Sequence, residues 1–392
     1  MNETHEKSEE KTQENNWKYC PRCGAELPPI DDIKYCTRCG LDIAYLKKYN
    51  KVPSDSISKV DIKKDERPKL TEDEIFTKKE GRIWDNPASI FIPLGAFGAM
   101  ELAVSIIILP LIFFIPMNQL LNDILNSTVF LIVFSLFEYI FILIPFLYVG
   151  LFLERPTIGN RLAILGLTTK RKTGLETIQE ILLGVIFAII ALILVNLISL
   201  FLEFIMSFFF NLESIFGTQT PTSETDLYIA SSNIIEIVLL VIIMIVVIGP
   251  SEEVAFRGFM QKGLSRTLGR NLGLIITALI FTGIHLISIA VIALESAIGA
   301  IVAFILLFFP YFVISLLLGY LFIWRNENLI APTITHGIYN SLTVLMGFLV
   351  FNYSLFTFGI FSLITFGIFF ISIALYFILN YIKQQNQGVV EI

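Results

Sequence analysis

Residues 234–258, IIEIVLLVIIMIVVIGPSEEVAFRG, decide what kind of fold this chain can adopt. The run is apolar up to Gly249 apart from Glu236, which is typical of a membrane-spanning helix. Pro250 and Ser251 end the run and predict the start of a new helix with Ser251 as its N-cap. Two carboxylates and an arginine follow at once. Such a charged group is costly at the end of a membrane helix, which suggests a functional site.

Glu252, Glu253 and Arg257 occupy the first turns of that predicted second helix. The i, i+4 spacing puts Glu253 and Arg257 on one face, within ion-pairing reach, while Glu252 points about 100° away. Acids in a first turn also complement the helix dipole. This stretch alone therefore leaves a structural and a functional interpretation open.

The composition indicates an integral membrane protein. Of 392 residues, 55% are hydrophobic and 35 are Phe, and the net charge of −6 argues against a nucleic-acid partner. Of the 28 Lys and Arg residues, 17 precede Trp84, so a polar head precedes a membrane body. Residues 1–16 have no apolar core. We therefore expect no cleavable signal peptide and a disordered tail over 1–16.

The head contains all four cysteines of the chain, in two C-x-x-C motifs: Cys20, Cys23, Cys36 and Cys39. This spacing resembles a zinc ribbon, in which four thiolates hold a structural Zn²⁺ and leave no position for a substrate. Disulfide pairing and a redox motif are less favoured, because nothing suggests export and no βαβ pattern surrounds the cysteines. We expect a zinc ribbon over 17–42, with a possible protein partner, and a flexible charged linker over 43–83.

The remainder predicts an all-α polytopic membrane protein with about eight transmembrane helices. Basic residues occur only in alternate loops, so both termini are expected in the cytoplasm of a multi-pass cell-membrane protein. Glu252 then lies at the cytoplasmic end of the fourth span. The predicted spans are 90–116, 129–153, 178–210, 234–249, 272–294, 298–324, 328–351 and 354–381.

Four acids lie inside these spans with no evident partner in the sequence: Glu101, Glu138, Glu203 and Glu236. Hydrogen bonds between helices are a better explanation for them than catalysis.

Two histidines also lie within apolar spans, His285 and His336. An imidazole is costly there unless it faces polar groups. His336 and Asn340 share a helix face by their i, i+4 spacing. Together with the Glu252 segment, these residues favour a shared polar chamber over isolated structural contacts.

The order of these motifs resembles the CPBP family, which includes type II CAAX prenyl endopeptidases and bacterial abortive-infection or bacteriocin-processing proteins. The matching motifs are E-E-x-x-x-R from Glu252, F-x-x-x-H ending at His285, and H-x-x-x-N from His336. They cover about 230–350 of an expected membrane-embedded domain over 84–392. The head has no counterpart in the family pattern.

The resemblance implies specific roles in peptide hydrolysis. It places Glu252 and His285 on the catalytic water, and His336 with Asn340 around the tetrahedral oxyanion. A carboxylate can serve as the base and polar donors can stabilise the oxyanion.

The resemblance also implies that Glu253 and Arg257 form an ion pair, which fixes the helix or helps bind a substrate carboxylate. Glu252, His285 and His336 could in principle ligate a metal ion. They lie on three helices without an H-E-x-x-H pair, so we favour water activated by glutamate without an obligatory metal.

The sequence hypothesis is therefore a membrane endopeptidase that acts near the cytoplasmic face. Its expected substrate is the C-terminal tripeptide of a prenylated protein or a small membrane peptide, and its expected partners are that lipidated or membrane-bound chain and the bilayer. A non-catalytic scaffold or immunity-type protein is the alternative. A transporter is disfavoured because no inverted repeat is evident.

Overall fold

The chain divides into two compact units, Met1–Asp65 and Glu66–Ile392. A computed structural model describes residues 19–21, 25–27, 36, 41–43, 45–46, 77–78, 83–116, 127–167, 173–216, 229, 232–287, 289 and 296–388. The predicted tail over 1–16 and most of the predicted linker lie outside the described residues.

The described residues of the second unit are helical, with no β-strand among them, which confirms the prediction of an all-α polytopic membrane protein. The helices are α1 Asn86–Phe114, α2 Thr128–Val149, α3 Ile158–Ile164, α4 Gly174–Ser207, α5 Leu212–Phe216, α6 Ile234–Leu268, α7 Arg270–His285, α8 Ala297–Trp324, α9 Ile330–Asn352 and α10 Leu355–Gly388.

Seven helices among the described residues are long and apolar enough to cross a membrane, namely α1, α2, α4, α6, α8, α9 and α10. Among the described residues, the predicted fifth span, 272–294, does not contain a helix long enough to cross. In its place stands α7, which has 16 residues and ends at His285. Because about 20 residues are needed to cross the hydrocarbon layer, α7 is too short to span it alone.

The prediction that a helix ends before Pro250 and a new one begins at Ser251 is wrong. Helix α6 runs unbroken from Ile234 to Leu268, and Ser251 is buried within it. A π-helical turn at Met244–Ile248 widens the helix immediately before the proline. A proline interrupts the ordinary i to i−4 bonding, and a π turn accommodates that interruption inside a helix.

The continuity of α6 moves the two glutamates away from a helix end. Glu253 lies fifteen residue steps before Leu268 at the end of α6, and His285 lies fifteen steps after Arg270 at the start of α7. Gly269 makes the turn between them with φ of +88°, a conformation that glycine adopts without strain. At 1.5 Å per residue, Glu253 and His285 each lie about 22 Å from this turn.

The predicted basic loop after the fourth span is also shorter than expected. Arg257 and Lys262 are buried within α6, and the Lys262 Nζ donates to the carbonyl oxygen of Ile164 at 2.8 Å. Only Arg266 and Arg270 remain near the turn. The cytoplasmic placement of both termini stays a prediction.

The end of the predicted 43–83 linker is anchored to the membrane body. Thr77 forms an antiparallel bridge with Leu153, and Ile83 is buried. The adjacent Trp84 stacks on Phe259 of α6 with ring centroids 4.3 Å apart. The segment just before α1 therefore packs directly on the helix that carries the two glutamates.

One unexplained acid has a local role. The carboxylate of Glu236 accepts from the backbone N–H of Asn233, and the Asn233 side chain accepts from the N–H of Glu236. This reciprocal pair is a capping box, which satisfies donors at the start of α6. Glu236 therefore caps its own helix, contrary to the expected bond between helices. Glu101 is exposed on α1.

In the first unit, the two cysteine segments have matching backbone geometry. The N–H of Cys20 donates to the carbonyl of Ala25 at 2.8 Å, and the N–H of Cys36 donates to that of Leu41 at 2.8 Å. Both cysteines are buried in one cluster with Leu27, Leu41, Ile43 and Leu46. Cys23 and Cys39 lie outside the described residues, so the predicted four-thiolate site remains a prediction.

Candidate active site

Glu253 accepts hydrogen bonds from Arg257 of its own E-E-x-x-x-R motif and from His336 of the H-x-x-x-N motif, both through one carboxylate oxygen. Its Oε1 accepts from Arg257 Nη1 at 2.7 Å and from His336 Nδ1 at 2.9 Å. The side chains of Glu253 and Arg257 are fully buried, and that of His336 is 6% exposed. The predicted ion pair therefore exists and also holds the histidine of a distant helix, α9.

Glu252 lies between the two histidines. Its Oε2 is 3.9 Å from His285 Nε2 and 3.8 Å from His336 Nε2. Both separations are too long for direct hydrogen bonds, although they bring α6, α7 and α9 to one point. The structure thus brings together Glu252, His285 and His336, as the motifs predicted.

The hydrogen bonds on Nδ1 determine which ring nitrogen faces Glu252. His285 Nδ1 lies 2.8 Å from the carbonyl oxygen of Phe281, and a carbonyl can only accept. His336 Nδ1 likewise faces the Glu253 carboxylate. Each ring must therefore carry its proton on Nδ1, which leaves the lone pair of a neutral ring on Nε2. Both lone pairs point towards Glu252.

The two adjacent glutamates approach the same imidazole ring, in a helix that is irregular on either side of them. The α-helical residues Gly249–Glu253 lie between π-helical segments Met244–Ile248 and Val254–Gln261. Each π turn contains an extra residue and rotates the side chains that follow it. Glu252 and Glu253 both lie in the α-helical part, so they keep the predicted separation of about 100° and approach different nitrogens of His336 from two sides.

A close glycine contact sets the distance between α6 and α9 at this level. A Cβ on Gly249 would lie 3.0 Å from the backbone nitrogen of Gly337 and 3.0 Å from the carbonyl oxygen of Thr333. The two helices therefore approach backbone to backbone, as small residues allow in membrane proteins. His336 reaches the glutamates across this contact.

Sequence reasoning missed two side chains near the site. Arg257 Nη2 donates to Ser315 Oγ at 2.8 Å and to the Ser315 carbonyl oxygen at 3.2 Å. Glu138, at a 3₁₀ turn that interrupts α2, interacts electrostatically with Glu252, and its Oε2 is buried. Glu138 therefore lies near the site, which the expectation of a remote structural hydrogen bond did not anticipate.

Asn340 lies on α9, one turn beyond His336, and is half-buried. The other proposed site residues are linked by the contacts given above. For Asn340 the described residues provide no hydrogen-bond partner within reach of its side chain, so its predicted role remains untested by the geometry.

The same residues were considered as metal ligands. Among the residues that the structure describes, no group of three or more His, Cys, Asp or Glu side chains is arranged to hold a metal ion. Glu252, His285 and His336 converge, but they do not form such a group.

The fold and the site together define a class: multi-pass α-helical membrane proteins with a buried cluster of Glu, His and Arg side chains from separate helices. Residues 234–342 match the family model for type II CAAX prenyl endopeptidase Rce1-like proteins. The matched segment includes all six predicted catalytic residues and all of α7 and α8. No curated protein and no solved structure matches the chain. The matched family is one of membrane proteases.

Proposed function

We propose that the protein hydrolyses a peptide bond inside the cell membrane, at a site reached from the cytoplasmic side, with Glu252 as the base that activates water. The main support for this proposal is that Glu252 Oε2 lies 3.8 Å from His336 Nε2 and 3.9 Å from His285 Nε2. A water molecule between them could donate to Glu252 Oε2 and His285 Nε2 and accept from His336 Nε2 when that ring carries both protons, since polar groups more than 3.5 Å apart are commonly bridged by water.

In this mechanism Glu252 takes a proton from the water, and the resulting hydroxide attacks the carbonyl carbon of the scissile bond. The tetrahedral oxyanion lies towards His336 and Asn340. A His336 ring that carries both protons before the water is attacked can donate from Nε2–H to the oxyanion and keeps that proton through the step, while Glu253 balances the charge. Collapse of the intermediate breaks the C–N bond, and the proton on Glu252 passes to the leaving amine.

The proposed substrate class is a lipidated or membrane-bound peptide, most simply the C-terminal tripeptide of a prenylated protein. The family match supports a membrane endopeptidase of the CAAX protease type. A small membrane peptide is the second substrate to test, because the buried site lies between helices long enough to cross a bilayer.

The test is cleavage of a farnesylated C-terminal peptide by purified full-length protein in lipid vesicles. Glu252→Gln keeps the size of the side chain and removes the base, so we expect the rate to fall about 10²–10⁴-fold. Glu101→Gln is the matched control on an exposed acid of α1, and it should cleave like the wild type. Cleavage by Glu252→Gln within about threefold of the wild-type rate would contradict the mechanism. A wild-type protein that cleaves neither peptide would favour the scaffold alternative.

We also propose that Cys20, Cys23, Cys36 and Cys39 hold a structural zinc ion. Support comes from the equal backbone bonds at Cys20 and Cys36 and from the burial of both in one cluster. In such a site the metal supplies the stability that a small apolar cluster lacks, and the ribbon is then available to bind a partner protein.

Metal content separates this zinc from a catalytic metal. The purified full-length chain should contain about one zinc, and the Cys20→Ser/Cys36→Ser variant about none, because four thiolates complete a structural site. Zinc that persists in this variant and is lost on His285→Ala would place the metal at the active site. That result would contradict both the zinc ribbon and the metal-free mechanism.

A further inference from the structure

Helix α8 carries none of the three motifs, yet two of its residues contact the site, and a third on the same face contacts the next turn of α6. Tyr311, Ser315 and Gly319 follow one another at intervals of four residues, which places them in a line along the helix. Tyr311 packs on His285, and Ser315 accepts from Arg257. The carbonyl of Gly319 accepts from Gln261 Nε2 at 2.9 Å.

These contacts close a stack of four planar groups. The Arg257 guanidinium lies 4.7 Å from the centroid of the Phe281 ring, and that ring lies 4.4 Å from the His285 imidazole. The imidazole in turn lies 4.7 Å from the ring of Tyr311. Ser315 holds the guanidinium end of the stack and Tyr311 covers the imidazole end. One helix therefore bounds the stack on both sides.

The surroundings restrict the ring of His285 less than they restrict that of His336. The His285 side chain is 26% exposed, against 6% for that of His336. His336 is fixed by the Glu253 carboxylate, whereas the hydrogen bond from His285 goes to a carbonyl of its own helix. The two flanking rings, Phe281 and Tyr311, are what prevent the imidazole from turning its Nε2 away from Glu252.

We propose that Tyr311 and Ser315 are positioning residues for the proposed peptidase, with Tyr311 holding the His285 ring and Ser315 holding Arg257. The inference rests on the proposed function for its effect on rate, but the stack itself can be tested without any substrate. Aromatic and cation–π contacts prefer the separations seen here.

The kinetic test compares Tyr311→Leu with Tyr311→Phe in the vesicle assay, with Tyr320→Leu as the matched control. Tyr320 lies on the same helix and is 58% exposed, away from the stack. We expect Tyr311→Leu to lower kcat about 10–100-fold with KM nearly unchanged, because a small displacement of a catalytic group is costly. Tyr311→Phe keeps the ring and should restore most of kcat. Equal losses in Tyr311→Leu and Tyr320→Leu, or in Tyr311→Leu and Tyr311→Phe, would overturn the assignment.

A spectroscopic test needs no activity. The chain has three histidines, so a His5→Gln background leaves only His285 and His336 in a spectrum of ¹⁵N-labelled imidazoles. We expect His285 to show the Nδ1–H tautomer in the otherwise native chain and a tautomer average in Tyr311→Leu, with the His336 signals unchanged. An unaltered His285 signal in Tyr311→Leu would refute the role of Tyr311. If the native protein does not cleave the peptide but Tyr311→Leu still changes the His285 tautomer, the proposed function is wrong and the role of Tyr311 in holding His285 is supported.

Discussion

Replacement of Gly337 by alanine tests whether helix spacing controls the site. Gly337 follows His336 on α9, and a Cβ there would lie 2.7 Å from the Cα of Ile245 and 3.0 Å from the carbonyl oxygen of Met244. Both atoms belong to the backbone of α6, so neither can swing aside as a side chain would. The added methyl group must therefore push the two helices apart.

The size of the displacement follows from the contact distance. Carbon atoms in contact normally lie about 3.5–4.0 Å apart, so α6 and α9 must separate by about 1 Å. The bond between His336 Nδ1 and Glu253 Oε1 is 2.9 Å long and would be broken by that shift. A misplacement of about 1 Å can cost about 100-fold in rate, and overpacking about 1–3 kcal/mol in stability.

The assay is cleavage of the farnesylated peptide, with the unfolding midpoint measured in parallel. Gly283→Ala is a demanding control, because Gly283 is two residues from His285 and a Cβ there has nothing within 4 Å. We expect Gly337→Ala to lose about 100-fold in kcat and Gly283→Ala to lose little. If Gly337→Ala cleaves at a rate near that of Gly283→Ala, the spacing of α6 and α9 does not set the site.

Three further predictions concern stability, each measured as the free energy of unfolding. Arg257→Leu should lower it by about 3–5 kcal/mol, because Glu253 is left as a buried unpaired charge, and adding Glu253→Leu should recover part of the loss. Glu180→Gln should cost about 1–3 kcal/mol, since Arg325 Nη2 donates to Glu180 Oε1 at 2.7 Å and Glu180 is 2% exposed. Burial lowers the pKa of Arg325 but the bonds and charge of Glu180 raise it overall. Arg325 with a raised pKa contributes stability that is lost as the pH rises through that pKa, so its part of the contribution should be constant between about pH 6 and 9. Gly166→Ala should cost about 1–2 kcal/mol, because φ at that residue is +89°. A loss below about 0.5 kcal/mol in any of the three would contradict the corresponding contact.

The residues that meet in the candidate site were predictable because polar groups are rare in apolar spans. His285 and His336 stand out for that reason, and their spacing from Phe281 and Asn340 identified the motifs. The ion pair between Glu253 and Arg257 followed from the helical repeat alone. What the sequence could specify, therefore, was the identity of the polar residues and their local faces.

The path of α6 was not predictable from local signals. A proline preceded by glycine usually ends a helix, and the sequence rules accordingly placed an N-cap at Ser251. Tertiary packing overrode that preference, since the π turns keep Ser251 and Glu253 buried against α9. The same effect buried Lys262, which the sequence had placed in a loop.

The contacts that α8 makes with the site could not be predicted from the sequence, for a different reason. Tyr311 and Ser315 are common in membrane helices, and neither is charged. Their only sequence signal is the line they form with Gly319 at intervals of four residues in an otherwise apolar helix. That line shows which face of α8 packs inward, but only the structure shows that His285 and Arg257 lie against it.

The structure also gives a reason why Glu252 and not Glu253 should be the base. Oε1 of Glu253 already accepts hydrogen bonds from Arg257 and His336, and the side chain is fully buried, so a water molecule cannot easily reach it. Glu252 is 12% exposed and faces the lone pairs of two imidazoles. Glu253→Gln should therefore retain some activity as long as its amide oxygen still accepts from Arg257 and His336, whereas Glu252→Gln should not. Adjacent residues of one motif thus divide the work between holding the site together and moving the proton.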